Sequence, residues 1–201
     1  MKLVIDHLTR YGYDEEVKFS TQYLRLTPRS TARQTITAWT LTLPDGAAVT
    51  TTDGWGNVLH VLTLDNPHKE ITIRASGIVD IADEGEETRD EEAELLSPLV
   101  FLRCTPLTRA DTAIREFAQR LYRPDAAEES LNQLMADLLL RMPYSPGATQ
   151  VQDSAADAFA RAKGVCQDHT HVFLACCRAL EIPARYVSGY VYSDNAQHVA
   201  M

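Results

Sequence analysis

Cysteine is scarce in this chain, positive charge is in short supply, and long apolar runs are missing. Four of the 201 residues are cysteine: Cys104, Cys166, Cys176 and Cys177. Their spacing fits no disulfide scaffold. Cys176 and Cys177 are neighbours, and on a helix both lie too far from Cys166 to bridge to it. Cys104, Cys176 and Cys177 therefore read as packing residues. Lys and Arg number 19 against 28 Asp and Glu, a net charge of −9 with a pI near 5.1. That balance argues against nucleic acid or an anionic membrane as a partner. No apolar run approaches the roughly 20 residues that span a bilayer. The start, Met1 to His7, has no signal-peptide core, so the expected location is the cytoplasm. Internal repeats and low-complexity tracts are also missing. What remains is an ordinary globular balance, 45% apolar and 23% charged, enough for one large domain or two small ones.

The two halves differ in character. Up to about residue 80, apolar and polar residues tend to alternate. The segments are Val17 to Ser20, Gln22 to Thr27, Gln34 to Leu41, Val58 to Leu64 and Glu70 to Val79. Period two with one apolar face predicts antiparallel sheet solvated on one side. Turn chemistry separates the strands at Thr27-Pro28, Pro44-Asp45-Gly46, Asp53-Gly54-Trp55-Gly56-Asn57 and Asp65-Asn66-Pro67. Short strands so spaced predict a small sandwich over residues 1–80. Residues 81–107 include the acidic run Asp83 to Glu92 and read as a self-repelling linker.

Residues 108–201 turn helical. Thr108 to Asp111 resembles a capping box ahead of Ile114, Phe117, Ala118 and Leu121, which share a face. A second helix is predicted over Glu128 to Arg141 and a third over Asp153 to Lys163, with Gly164 as its C-cap. A fourth begins at Cys166 and stops before Pro183, and a strand is predicted around Ala184 to Tyr192. Helices followed by strands make the fold class α+β.

The segment Gly164-Val165-Cys166-Gln167-Asp168-His169 delivers a thiol to the first turn of that fourth helix. Unpaired N–H groups and the helix dipole stabilise a thiolate there. The same N–H groups suit an oxyanion. The competing reading is a small buried hydrophobe. A zinc site from Cys166, His169 and Cys176 lacks suitable spacing, and His169 and His171 point to different helix faces. Asp168, in the first turn, reads as structural support for the helix start, since its charge beside Cys166 would raise the thiol pKa.

Two runs carry a resemblance. Gly164-Val165-Cys166-Gln167-Asp168, followed by Ile182-Pro183-Ala184-Arg185-Tyr186-Val187-Ser188-Gly189-Tyr190, is similar to the nucleophile segment of the bacterial transglutaminase-like superfamily. Glu181 stands where the family usually has glycine. Leu24-Arg25-Leu26-Thr27-Pro28, Gln34 and Asp53-Gly54-Trp55-Gly56-Asn57 resemble the β-domain that precedes such cores. The second of these turns reads as a structural hairpin rather than a binding site. The resemblance implies an N-terminal antiparallel β-sandwich-like domain followed by a papain-like core with Cys166 as nucleophile. Tyr144 falls where the family carries an aromatic, and either packs or lines the cleft; packing is favoured.

The resemblance also implies a histidine base after the Gly-Tyr run, oriented by an aspartate on the next strand. This sequence has His198-Val199-Ala200-Met201 and no tryptophan after His198. Either His198 is the base in a divergent setting, or the family histidine falls past Met201. The second is favoured, because ending within a core strand leaves an unpaired sheet edge. The chain is then a portion of a longer protein, without the aspartate and with little turnover of its own. Asp194 reads as surface.

The expected chemistry is thiol-dependent acyl transfer or amide hydrolysis on a protein or peptide substrate, with no metal or organic cofactor implied. The rival is a non-catalytic binding or assembly module in which Cys166 is inert. Fold alone does not choose between them, and the sequence does not give the oligomeric state.

Overall fold

The computed structural model describes residues 1–82 and 96–190. The acidic run Asp83 to Glu92, Asp194 and His198 lie outside the described residues. The chain divides into two compact units, Met1–Leu96 and Ser97–Met201.

Unit 1 holds six strands: β1 (Lys2–Val17), β2 (Ser20–Thr27), β3 (Gln34–Thr42), β4 (Ala47–Thr52), β5 (Val58–Leu64) and β6 (His68–Ile81). They form two antiparallel three-stranded sheets, ordered β1-β6-β3 and β2-β5-β4. Period-two alternation places Leu24, Leu62 and Leu64 of one sheet against Ile71 and Ile73 of the other, with Leu41 and Tyr13 at the margin. The inner faces of the two sheets thus share one core. Each fully buried aliphatic side chain there stabilises the unit by about 1.5–3 kcal/mol.

Two strands were not legible in the alternation. In β1 the inward positions include His7 and Thr9, while Val4 and Leu8 face out. β4 is exposed along its whole length, an edge held by pairing with β5 alone. Val17 to Ser20 is not a strand of its own: it is the break between β1 and β2, with Phe19 exposed.

The turn after β4 is built on Asp53. Its carboxylate accepts from the backbone N–H of Trp55 and Asn57, from Asn57 Nδ2, and from Arg25 Nε at 2.6 Å. The Arg25 guanidinium and these donors hold the Asp53 carboxyl far below the usual carboxylate range. Gly56 takes φ +78°, which a side chain would resist. Both oxygens of the Asp53 carboxylate are thus spent on structure.

Unit 2 contains α1 (Thr112–Leu121), α2 (Ala127–Arg141), α3 (Ala155–Arg161) and α4 (Cys166–Ala179). α4 packs on all three others. The core draws Ile114, Phe117 and Ala118 from α1, and Leu134 and Leu138 from α2. It takes Ala158 and Phe159 from α3, and Val172, Ala175 and Cys176 from α4. α4 is therefore fixed on several sides, and its first turn is a rigid platform.

Several local expectations are corrected. The cap of α1 is Asp111, whose carboxylate accepts from Ile114 N at 2.8 Å. Thr108 is instead buried in a 3-10 turn, Pro106–Thr108. That turn and another, Pro98–Leu102, fall in the stretch read as linker; they group with unit 2 instead. The left-handed cap after α3 is Ala162, φ 54°, not Gly164. Cys104 is exposed and does not pack, whereas Cys176 and Cys177 are buried. Residues 182–190 form no strand, since no neighbouring strand pairs with them among the described residues. Arg178 holds this segment: it donates to the carbonyls of Phe101 and Ala184 and to Thr108 Oγ1.

Candidate active site

Cys166 is the first residue of α4, and it is exposed. The preceding residue, Val165, is the N-cap and has no side-chain acceptor. The first helical hydrogen bond runs from His169 N to Val165 O at 3.1 Å. The N–H groups ahead of it, from Cys166 onward, have no intrahelical acceptor and no capping side chain. A thiol and a set of uncapped donors therefore share one turn.

Below that turn lies Asp168, 2% exposed. Its Oδ2 accepts from Val165 N at 2.8 Å and from Thr149 Oγ1 at 2.6 Å. This settles the structural reading of Asp168 in favour of support for the helix start. Gly164 is required by close approach: a Cβ there would lie 2.7 Å from Asp168 Cβ. Gly164 also pairs with the segment before α3. Its carbonyl accepts from Ser145 N at 2.8 Å, and Tyr144 and Gly164 form a parallel bridge. Tyr144 itself is 45% exposed. A third tie joins Gln167 Nε2 to the Val151 carbonyl at 3.1 Å.

The two nearby histidines are placed on separate tasks. The Nε2 atom of His169 meets the Met142 carbonyl at 2.6 Å. His171 is buried, and its Nδ1 finds no hydrogen-bond partner among the described residues. Burial pushes the His171 pKa below its ordinary value; Asp168 opposes that shift and Arg178 adds to it. The His171 ring contacts Tyr186. Burial pushes the Tyr186 pKa up, and the negative charge of a Cys166 thiolate adds to the effect. Tyr186 thus lies within electrostatic reach of Cys166. Neither Thr149 nor Tyr186 was legible as part of the site. Thr149 is distant in sequence from Asp168, and Tyr186 is brought back by the anchoring of residues 182–190.

Further along α4, Cys176 and Cys177 sit in the apolar core. Burial pushes their thiols up to about 12 and about 11. Both are protonated at neutral pH, and Cys176 is some 15 Å along the helix from Cys166. Among the described residues, no group of three or more His, Cys, Asp or Glu could hold a metal ion.

An exposed cysteine thus opens the central helix of unit 2, in a chain whose first unit is two packed antiparallel sheets. Residues 3–80 match the bacterial transglutaminase-like N-terminal region, and residues 115–200 match the transglutaminase-like superfamily. An uncharacterized protein of Mycobacterium leprae is 31% identical over 199 residues, covering 95% of this chain and 71% of the relative. One from Mycobacterium bovis is 30% identical over 206 residues, covering 94% and 66%. A crystal structure from Cytophaga hutchinsonii, described provisionally as a cysteine protease, shares the fold with a TM-score of 0.71 at 21% identity. It covers 91% of this chain and 65% of that one. The chain belongs to the transglutaminase-like superfamily and spans about two thirds of the length of these relatives.

Proposed function

We propose that this protein performs thiol-dependent acyl transfer or amide hydrolysis, with Cys166 as the nucleophile. The observation that carries the reading is an exposed Cys166 at the first position of α4, ahead of N–H groups that no side chain caps. In the proposed reaction, Cys166 Sγ attacks the carbonyl carbon of a glutamine side chain or a peptide bond. The carbonyl π electrons move to oxygen, and the first-turn N–H groups stabilise that oxyanion. A histidine takes the thiol proton as Sγ attacks; collapse then breaks the C–N bond, and the leaving amine takes that proton from the histidine. The thioester then passes its acyl group to an amine or to water. The histidine is a requirement of the chemistry. His198 is the candidate in this sequence, and the protein or peptide substrate follows from the amide chemistry. Cytoplasmic location belongs to the same proposal.

The rival reading is a binding module with an inert thiol. One observation favours it: His169 and His171 are both directed elsewhere. Iodoacetamide labelling against pH, read by mass spectrometry at each cysteine, separates the two. Selective alkylation of Cys166 below pH 7 is the expected result, well under the ordinary thiol pKa of about 8.5. Labelling of Cys166 only alongside Cys104 near that value would sink the nucleophile reading. Ammonia release from a glutamine-containing peptide, in a chain extended to the length of the relatives, then tests turnover.

A further inference from the structure

We infer that Asp168 is a positioning residue, and that its hydrogen bond with Thr149 latches the 145–151 loop onto the Cys166 turn so that both hold the thiol in place. The inference rests on the nucleophile reading above, but its geometry is independent of it. One carboxylate oxygen, Asp168 Oδ2, takes both bonds: Thr149 Oγ1 at 2.6 Å and Val165 N at 2.8 Å. The first donor belongs to the loop. The second is the N–H of Val165, so the bond fixes the Gly164–Val165 peptide plane, one residue ahead of Cys166. The carboxylate is buried, at 2% exposure, and cannot exchange these donors freely for water.

The rest of the loop is bound to the same turn. Ser145 N donates to the Gly164 carbonyl at 2.8 Å, and Gln167 Nε2 donates to the Val151 carbonyl at 3.1 Å. Gly164 lets Asp168 approach: its missing Cβ would lie 2.8 Å from Asp168 Oδ2. The loop is thus tied at both ends and at Thr149 in between. With Asp153 and Arg161, residues Gly147 to Gln150 line an open hollow. A carboxylate under a thiol is an electrostatic handicap. Its retention in the first turn follows if it acts by placement rather than by charge.

Two readouts on Thr149→Val test the latch, with Thr149→Ser as the rescue. Valine keeps the shape of threonine and removes only the hydroxyl donor. The first readout is amide hydrogen exchange. Thr149→Val is expected to exchange faster across 145–151 and 164–168, while α1 and α2 stay as protected as in wild type and Thr149→Ser matches wild type. The second is the pH profile of iodoacetamide alkylation at Cys166, with exposed Cys104 as internal reference. Thr149→Val is expected to alkylate several-fold more slowly at Cys166 near neutral pH, because the thiol is no longer held in place. Asp168→Asn sharpens the sign. Its amide oxygen can still accept both bonds, so placement is kept while the charge is lost, and a Cys166 rate at or above wild type is expected.

Unchanged exchange in both peptides for Thr149→Val overturns the latch. So does equal loss in Thr149→Val and Thr149→Ser, which would point to packing. If Thr149→Val does not fold, Thr149→Ala against Thr149→Ser makes the same comparison. Wild-type Cys166 alkylating no faster than Cys104 at any pH defeats the nucleophile reading instead, and exchange alone then decides the latch.

Discussion

The rings of His171 and Tyr186 meet in a T-shaped contact, with centroids 5.8 Å apart and planes inclined by 62°. His171 comes from α4, Tyr186 from the segment that follows it. The contact joins the two where no strand pairing does. It also seals a histidine whose Nδ1 has no partner among the described residues, so the neutral ring is the form that suits this site.

That burial makes stability depend on pH with a definite sign. The folded pKa of His171 is depressed below 6.5, chiefly by loss of water around the ring. As pH falls below about 6.5, the unfolded chain takes up the proton before the folded one does. The contribution is full above the unfolded pKa and is lost as pH falls toward the folded value. Urea unfolding followed by far-UV circular dichroism reads the helices, which among the described residues lie in unit 2. The wild-type midpoint is expected to drop between about pH 6.5 and pH 5. His171→Met is expected to flatten that decline, and an equally steep decline in the variant would refute the assignment.

The four cysteines should sort into two pairs. Cys104 and Cys166 are exposed; Cys176 and Cys177 are buried, with thiols pushed up to about 12 and about 11. Native protein treated with excess iodoacetamide at neutral pH is expected to carry label at the first pair only. Denatured protein should carry all four. Label on Cys176 in the native state would mean that α4 opens at its centre, against its place in the core.

Much of this arrangement was legible beforehand, and the failures have physical causes. The cysteine at a helix start was readable because it is local: a glycine, a thiol, an amphipathic run and a proline stop. The sandwich followed from alternation in β2, β3, β5 and β6, whose inward positions are apolar. Alternation failed for β1, where His7 and Thr9 face inward and Val4 and Leu8 outward, and for β4, which buries nothing. Thr149 was invisible because its meaning depends on Asp168, which the fold brings to it. Gly164 was recognised as special, but for the wrong reason. Its role is close approach, and the left-handed residue nearby is Ala162.

Glycine positions therefore give a graded test. Gly164→Ala places a Cβ 2.7 Å from Asp168 Cβ, a side chain already fixed by two hydrogen bonds. The neighbour cannot give way cheaply, and a loss of about 1–3 kcal/mol is expected. Gly147→Ala meets open space but sits at φ +73°, so strain alone should cost about 1 kcal/mol. Gly12→Ala meets nothing within 4 Å, and a change within about 0.5 kcal/mol is expected. Urea midpoints give the order. Gly164→Ala no worse than Gly12→Ala would mean that Asp168 is not held as described.

Arg178 offers the strongest single test of how the segment after α4 is held. Its guanidinium donates to Phe101 O at 3.0 Å, Thr108 Oγ1 at 2.6 Å and Ala184 O at 2.9 Å. Three acceptors from three separate stretches meet one planar fork, which lysine cannot imitate. Arg178→Ala leaves the partly buried carbonyls of Phe101 and Ala184 short of a donor, and a loss on the order of 2–4 kcal/mol is expected. Arg178→Lys should recover only part of it. The local consequence is more specific than the global one: without the fork, residues 182–190 lose their anchor to α4, and trypsin should cut after Arg185 faster than in wild type. If cleavage there stays slow while the urea midpoint falls, Arg178 supports the 3-10 turns and not the segment that carries Tyr186. If neither changes, the three bonds contribute nothing net, and the segment is held by its other ties: Ile182 N to Cys177 O, Ala184 N to Phe101 O, and the contact of Tyr186 with His171.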